Sequence, residues 1–117
     1  MSSVRQVSIR PEGRRRIDSR YLLIREAILD KQQLAGLYKG KRMMACPHAL
    51  GWLDERPYVL CYRFLGPSLK TERQDLWQWM ALQDFAHLAM RSGHWYSAPP
   101  ETRPPLPGVE IDVEVRP

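Results

Sequence analysis

Leu76-Trp77-Gln78-Trp79-Met80-Ala81-Leu82-Gln83-Asp84-Phe85-Ala86-His87-Leu88-Ala89-Met90-Arg91-Ser92 is the stretch on which the fold of this 117-residue chain turns. Trp77, Ala81, Phe85 and Leu88 fall at helical spacing, with Asp75 placed to cap the start and Gly93 the end. At a period of two, Trp77 to Ala81 alternates instead, breaks at Gln83-Asp84 and resumes from His87 to Met90. Pattern alone slightly favours the helix.

The flanking segments read more simply. Upstream, Tyr58, Leu60, Tyr62 and Phe64 alternate with Val59, Cys61 and Arg63, which predicts a largely buried strand ended by Gly66-Pro67, with a polar loop over 68–75. Asp54-Glu55-Arg56-Pro57 before it reads as a polar turn. Gln33–Tyr38 and Lys41–Cys46 flank Lys39-Gly40, a two-residue turn with glycine second, and so predict a hairpin. Pro47, unable to donate to a ladder, is expected to close that second strand, with His48–Trp52 irregular. Asp18-Ser19 supplies capping oxygens for a helix over 19–31, with Tyr21, Ile24 and Ile28 on its apolar face. Downstream, the proline-rich 99–108 reads as a stiff linker across the surface; Arg103–Pro107 also resembles an SH3-type ligand. Val109, Ile111, Val113 and Val115 alternate with Glu110, Asp112 and Glu114, a half-buried strand with an acidic outer face.

Composition excludes several classes. Hydrophobic residues make up 44% and charged residues 26%, an ordinary globular balance in one domain's length. Apolar runs such as Tyr21–Ile24 are far too short to span a membrane, and the basic start lacks a signal peptide's apolar stretch. Two cysteines are too few for a disulfide framework and suit a reduced, cytoplasmic protein. The net charge of +5 is concentrated at the front: residues 1–45 hold 11 Lys+Arg against 4 Asp+Glu. Such a bias attracts polyanions, nucleic acid above all. Residues 1–18 read as a flexible arm in which Arg10, Arg14, Arg15 and Arg16 are either nucleic-acid contacts or a solvated tail.

Leu23–Ile28, then Leu34-Ala35-Gly36-Leu37-Tyr38-Lys39-Gly40-Lys41, Cys46–Gly51, Tyr58–Tyr62 and Trp79–Phe85 together resemble a WYL domain over roughly residues 20–95. The resemblance implies a mainly β fold, an SH3-like or Sm-like small barrel with one N-terminal helix. It therefore turns residues 76–92 into strand, corner and strand. It also implies a standalone version of the ligand-sensing half of bacterial transcription regulators, many tied to phage defence, whose basic and aromatic pocket takes nucleic acid or nucleotide-like ligands. Tyr58 stands where the family's tryptophan is expected, and Gln83 or Asp84 where its pocket arginine is.

Aromatic and basic residues interleave, as in Tyr38-Lys39 and Tyr62-Arg63, a mixture suited to stacking bases while neutralising phosphates. The candidate ligand-binding set is Tyr38, Lys39, Lys41, Arg42, His48 and Arg63, expected on one face, with neither Arg42 nor Arg63 needed to fill the core. His48 is either an anion binder when protonated or a turn residue bonded to backbone. Cys46, His48, Cys61, His87 and His94 lack the paired short spacings of a zinc site, so no metal is expected. No motif unites a nucleophile, a base and an oxyanion donor, so neither an enzyme nor a cofactor is expected. The expected partners are a nucleic acid or nucleotide-like ligand, a regulatory protein, or a second copy in a homodimer, and no membrane.

Overall fold

The structure is a computed structural model and describes residues 15–65 and 76–115. The end of the long strand at Gly66-Pro67 and the loop over 68–75 lie outside the described residues. One helix, α1 (Ser19–Asp30), precedes six strands: β1 (Gln33–Tyr38), β2 (Lys41–Leu53), β3 (Arg56–Leu65), β4 (Trp77–Ala81), β5 (Phe85–Arg91) and β6 (Glu110–Glu114).

α1 forms where its cap dictates. The Asp18 carboxylate accepts the N–H groups of Arg20 and Tyr21 at 3.0 and 3.1 Å, satisfying two amides without helical partners. Lys31 ends the helix in the left-handed region at φ 53°, its N–H turned back to the Ala27 and Ile28 carbonyls. Tyr21, Ile24, Ala27 and Ile28 make the buried face.

Residues 76–92 are strand, corner and strand. β4 pairs antiparallel with β3 from Tyr58↔Ala81 to Tyr62↔Trp77, and β5 pairs with β1 from Gln33↔Arg91 to Tyr38↔Phe85. A single 3-10 turn over Leu82–Asp84 separates them. Ladder pairing to two different strands overrides the local helical spacing. Arg20 holds the corner: its guanidinium donates to the carbonyls of Leu82, Gln83 and Phe85 at 3.1, 3.3 and 3.2 Å.

The strand order is β4-β3-β2-β1-β5, with β6 added to β2, and every pairing is antiparallel. β4 and β5 sit at opposite ends of this order, so the sheet does not close. The mainly β fold with one helix is as expected; among the described residues the sheet is not closed into a barrel.

Two turns carry left-handed residues in both central positions, Lys39 and Gly40 at φ 52° and 81°, and Asp54 and Glu55 at φ 51° and 66°. The first is the expected hairpin turn. The second is shorter than expected, since Arg56 and Pro57 already pair with Leu53 and Trp52. Pro57 is tolerated because β4 begins pairing only at Tyr58.

Pro47 does not end β2. One flank of β2 is shared by two strands, β1 along Lys41–Ala45 and β6 along Ala49–Trp52. Pro47 lies in the gap between them, where its missing N–H costs no ladder bond on that flank. On the other flank the register with β3 shifts between Pro47↔Cys61 and Ala49↔Leu60, which makes His48 the extra residue of a β-bulge. Gly51 admits β6: a Cβ there would lie 2.5 Å from the Glu110 carbonyl oxygen.

The sheet has two covered faces. Leu34, Met43, Leu50, Val59, Cys61 and Met80 form the main core with the apolar face of α1. On the other face Ala49, Leu60 and Trp77 pack with Tyr62, Trp79 and Ala98. Ala98 belongs to a strap of chain, residues 94–109, that crosses this face before β6. The Trp77 indole N–H donates to Thr102 Oγ1 at 2.8 Å, and that of Trp79 to the Pro104 carbonyl at 2.9 Å. Arg103 lies 5.1 Å over the Trp77 ring and 3.6 Å from Glu114. The proline-rich segment, including the SH3-ligand-like stretch, is thus tied to the sheet. No helix among the described residues is long and apolar enough to cross a membrane.

Candidate functional site

Alternation along a strand decides which of the predicted site residues meet solvent. Lys39, Lys41 and Arg42 are exposed at the end of the β1–β2 hairpin, with the Lys39 ammonium 5.6 Å over the Tyr38 ring. Tyr38 itself is 9% exposed: its ring packs 5.0 Å from Phe85 and its hydroxyl accepts the Ala81 N–H at 3.2 Å. Arg63 is 5% exposed on the core side of β3, where it donates to Gln78 Oε1 at 2.5 Å. Burial lowers its pKa from the ordinary arginine value. Tyr62, its neighbour in sequence, belongs to the opposite face. The six residues therefore do not share one face, and Arg63 helps fill the core, contrary to expectation.

His48 is 1% exposed on the strap side. Its Nδ1 lies 2.8 Å from the Cys46 carbonyl and its Nε2 2.9 Å from Ser97 Oγ. A carbonyl only accepts, so Nδ1 carries the proton and Nε2 accepts from the serine hydroxyl. The ring is boxed by Trp77 at 4.7 Å and Trp95 at 4.8 Å. Burial pushes its pKa down to about 4, the Cys46 bond partly opposes this, and Arg103 and Lys31 push the same way as burial. At neutral pH His48 is uncharged and fastens the strap. Of its two expected roles, the backbone-bonded one is present.

The cysteines are not poised as nucleophiles, since burial raises both thiol pKa values above the ordinary range. Cys46 Sγ instead accepts the Tyr96 N–H at 3.3 Å. Among the described residues no three His, Cys, Asp or Glu side chains gather as a metal would require. Of the arm, Arg10 and Arg14 lie outside the described residues. Arg15 is anchored: it pairs with Glu55 at 3.0 Å and with Glu110, and stacks 5.1 Å over Trp52. Arg16 is exposed.

Carboxylate pairing separates the described arginines. Arg15, Arg20, Arg25 and Arg103 each sit against an aspartate or glutamate. Arg16, Arg42, Arg56 and Arg91 are exposed with no carboxylate partner among the described residues, and of these Arg42 and Arg91 come together. They line one groove of about 320 Å³, with Leu37, Met44, Leu65 and His87 among its walls. Sequence reasoning found Arg42 and missed Arg91, because it read β5 only as a partner for the helix-or-strand question. Antiparallel pairing of β5 with β1 sets Arg91 opposite Gln33, at the end of β1 away from the Lys39-Gly40 turn, and its guanidinium reaches across to Met44 of β2. Compared with protein-family models, curated proteins and solved structures, the chain matches none of them.

Proposed function

We propose that the chain is a non-enzymatic, WYL-like regulatory or sensor module that binds an anionic ligand, nucleic acid or nucleotide-like, through the cations of the β1–β2 hairpin and Arg91 of β5. The observation that carries this reading is the pair Arg42 and Arg91, solvent-facing in one groove without a described carboxylate to neutralise them. Exposed guanidiniums in a concave, partly apolar site suit phosphate recognition, because their planar forks match phosphate oxygens while the walls reduce solvent screening. The leading helix and the strand, corner and strand over residues 76–92 agree with what the WYL resemblance implies and so support the reading. The test is binding of a fluorescently labelled oligonucleotide across a salt series. Affinity is expected to fall with salt, and the double variant R42A/R91A to bind more weakly with the salt slope reduced by about 2. Equal binding by parent and variant overturns the reading.

A second reading, a protein-interaction subunit of a regulatory or defence complex, is favoured by Leu22 and Leu29. They lie two turns apart on the outer side of α1 and are 57% and 58% exposed. Failure of the parent to bind any oligonucleotide or nucleotide at low salt favours it over the first.

A further inference from the structure

A third polar residue, His87, lines the groove of Arg42 and Arg91, and the backbone is bent where it does so. Along β5, the pairs Ala35↔Ala89 and Leu37↔Ala86 leave His87 and Leu88 opposite the single residue Gly36. This is a β-bulge, and its first residue, His87, sits in the left-handed region at φ 54°. That conformation is uncommon for a residue with a side chain and is usually taken by glycine at this point in a bulge. Gly36 accommodates the approach: a Cβ there would lie 2.9 Å from the His87 carbonyl oxygen and 3.0 Å from that of Ala86. The two bulge histidines differ in setting. His48 is buried and hydrogen-bonded, whereas His87 is exposed and lines the groove.

The donor set limits what fits. A phosphodiester inside a strand carries one negative charge, whereas a phosphomonoester carries close to two and offers three terminal oxygens. Two guanidinium forks and one imidazole N–H supply donors enough for all three oxygens. The volume of about 320 Å³ lies at the small end of ligand pockets, near what one nucleotide fills. Leu37, Met44 and Leu65 add apolar walls for the sugar or base attached to the phosphate.

We infer that Arg42, His87 and Arg91 form a site for the phosphomonoester end of a nucleotide or nucleic-acid strand. The inference rests on the anion-binding reading above and narrows it from backbone phosphates to a phosphate terminus.

The test compares labelled oligonucleotides of one sequence with a 5′-phosphate, a 3′-phosphate or hydroxyl ends only, against the parent and His87→Gly. Glycine suits the left-handed backbone, so the variant keeps the bulge and removes only the imidazole. A phosphorylated end is expected to strengthen parent binding about tenfold, the size of one charge-assisted contact, and His87→Gly to lose most of that preference. Competition by a nucleoside monophosphate assigns the site to free nucleotides; a preference that it does not compete away assigns it to strand ends. Equal binding of phosphorylated and hydroxyl-ended strands overturns the inference and leaves the anion-binding reading standing. Absence of binding to every strand and nucleotide overturns both. A preference unchanged in His87→Gly removes histidine from the site and refutes the assignment.

Discussion

Acidification from pH 7 to pH 4 should weaken this fold through His48. An unfolded-chain histidine titrates near 6.5, whereas burial, opposed by the Cys46 carbonyl and helped by Arg103 and Lys31, holds the folded imidazole at about 4. Between those values the unfolded chain binds a proton that the folded chain refuses. The stability contributed by the neutral imidazole is therefore complete above pH 6.5 and is lost as pH falls, levelling off below pH 4. Integrated over that window, the loss is about 1 kcal/mol by pH 5.5 and about 3 kcal/mol by pH 4. Protonation also requires the Ser97 hydroxyl to stop donating to Nε2 and turn round to accept, so the strap should loosen with the charge. The assay is urea unfolding at closely spaced pH values for the parent and for His48→Gln. Carboxylates titrate in both proteins, so the difference between the two stability curves isolates the imidazole. Parallel curves, or an NMR titration of His48 with a midpoint near 6.5, would refute the argument.

Arg63→Ala should destabilise the fold by about 1–3 kcal/mol, because it empties a buried position and leaves Gln78 without a guanidinium, while Arg42→Ala should change stability by less than about 0.5 kcal/mol; denaturant midpoints check both. Gly51→Ala places a methyl against the Glu110 backbone and should cost about 1–3 kcal/mol, with early loss of amide-exchange protection in Glu110–Glu114. Arg20→Ala frees three carbonyls at the β4–β5 corner and should lower stability by about 1–2 kcal/mol, read by thermal or urea unfolding.

Local rules made much of the fold legible. The α1 boundaries follow from Asp18 and an apolar stripe, the hairpin from Lys39-Gly40, and the existence of β6 from its alternation, although a register shift at Asp112 leaves Ile111 exposed and turns that carboxylate to the Tyr21 hydroxyl. Residues 76–92 resisted, because both faces of β4 are covered: Trp77 and Met80 are buried on opposite sides of the sheet, which blurs the alternation of a half-exposed strand. Only pairing with strands elsewhere in the chain resolves them. Pro47 misled for a related reason: whether a missing N–H matters depends on what lies beside the strand, and there two partners leave a gap. The binding set was partly legible. Charge identified Lys39, Lys41 and Arg42, but bulges shift the facing of residues after them, and the inward turn of His48 and Arg63 has no local signature. The anchoring of Arg15 and Arg20 spans 40 or more residues and is likewise invisible to short windows.

The strap sets an order of events during synthesis. Each hairpin from β1 to β4 joins neighbours in sequence, so most of the sheet can assemble as it leaves the ribosome. Its second face cannot be finished then. Leu60, Trp77 and Trp79 wait for Ala98, Thr102 and Pro104, and the open flank of β2 waits for β6. A nascent chain stalled before residue 94 would carry a bare aromatic surface beside an unpaired strand segment, the combination that recruits chaperones or other unfinished chains. The final residues of the described fold act as an intramolecular shield, and loss of them to premature termination should yield an aggregating fragment, not a smaller working domain.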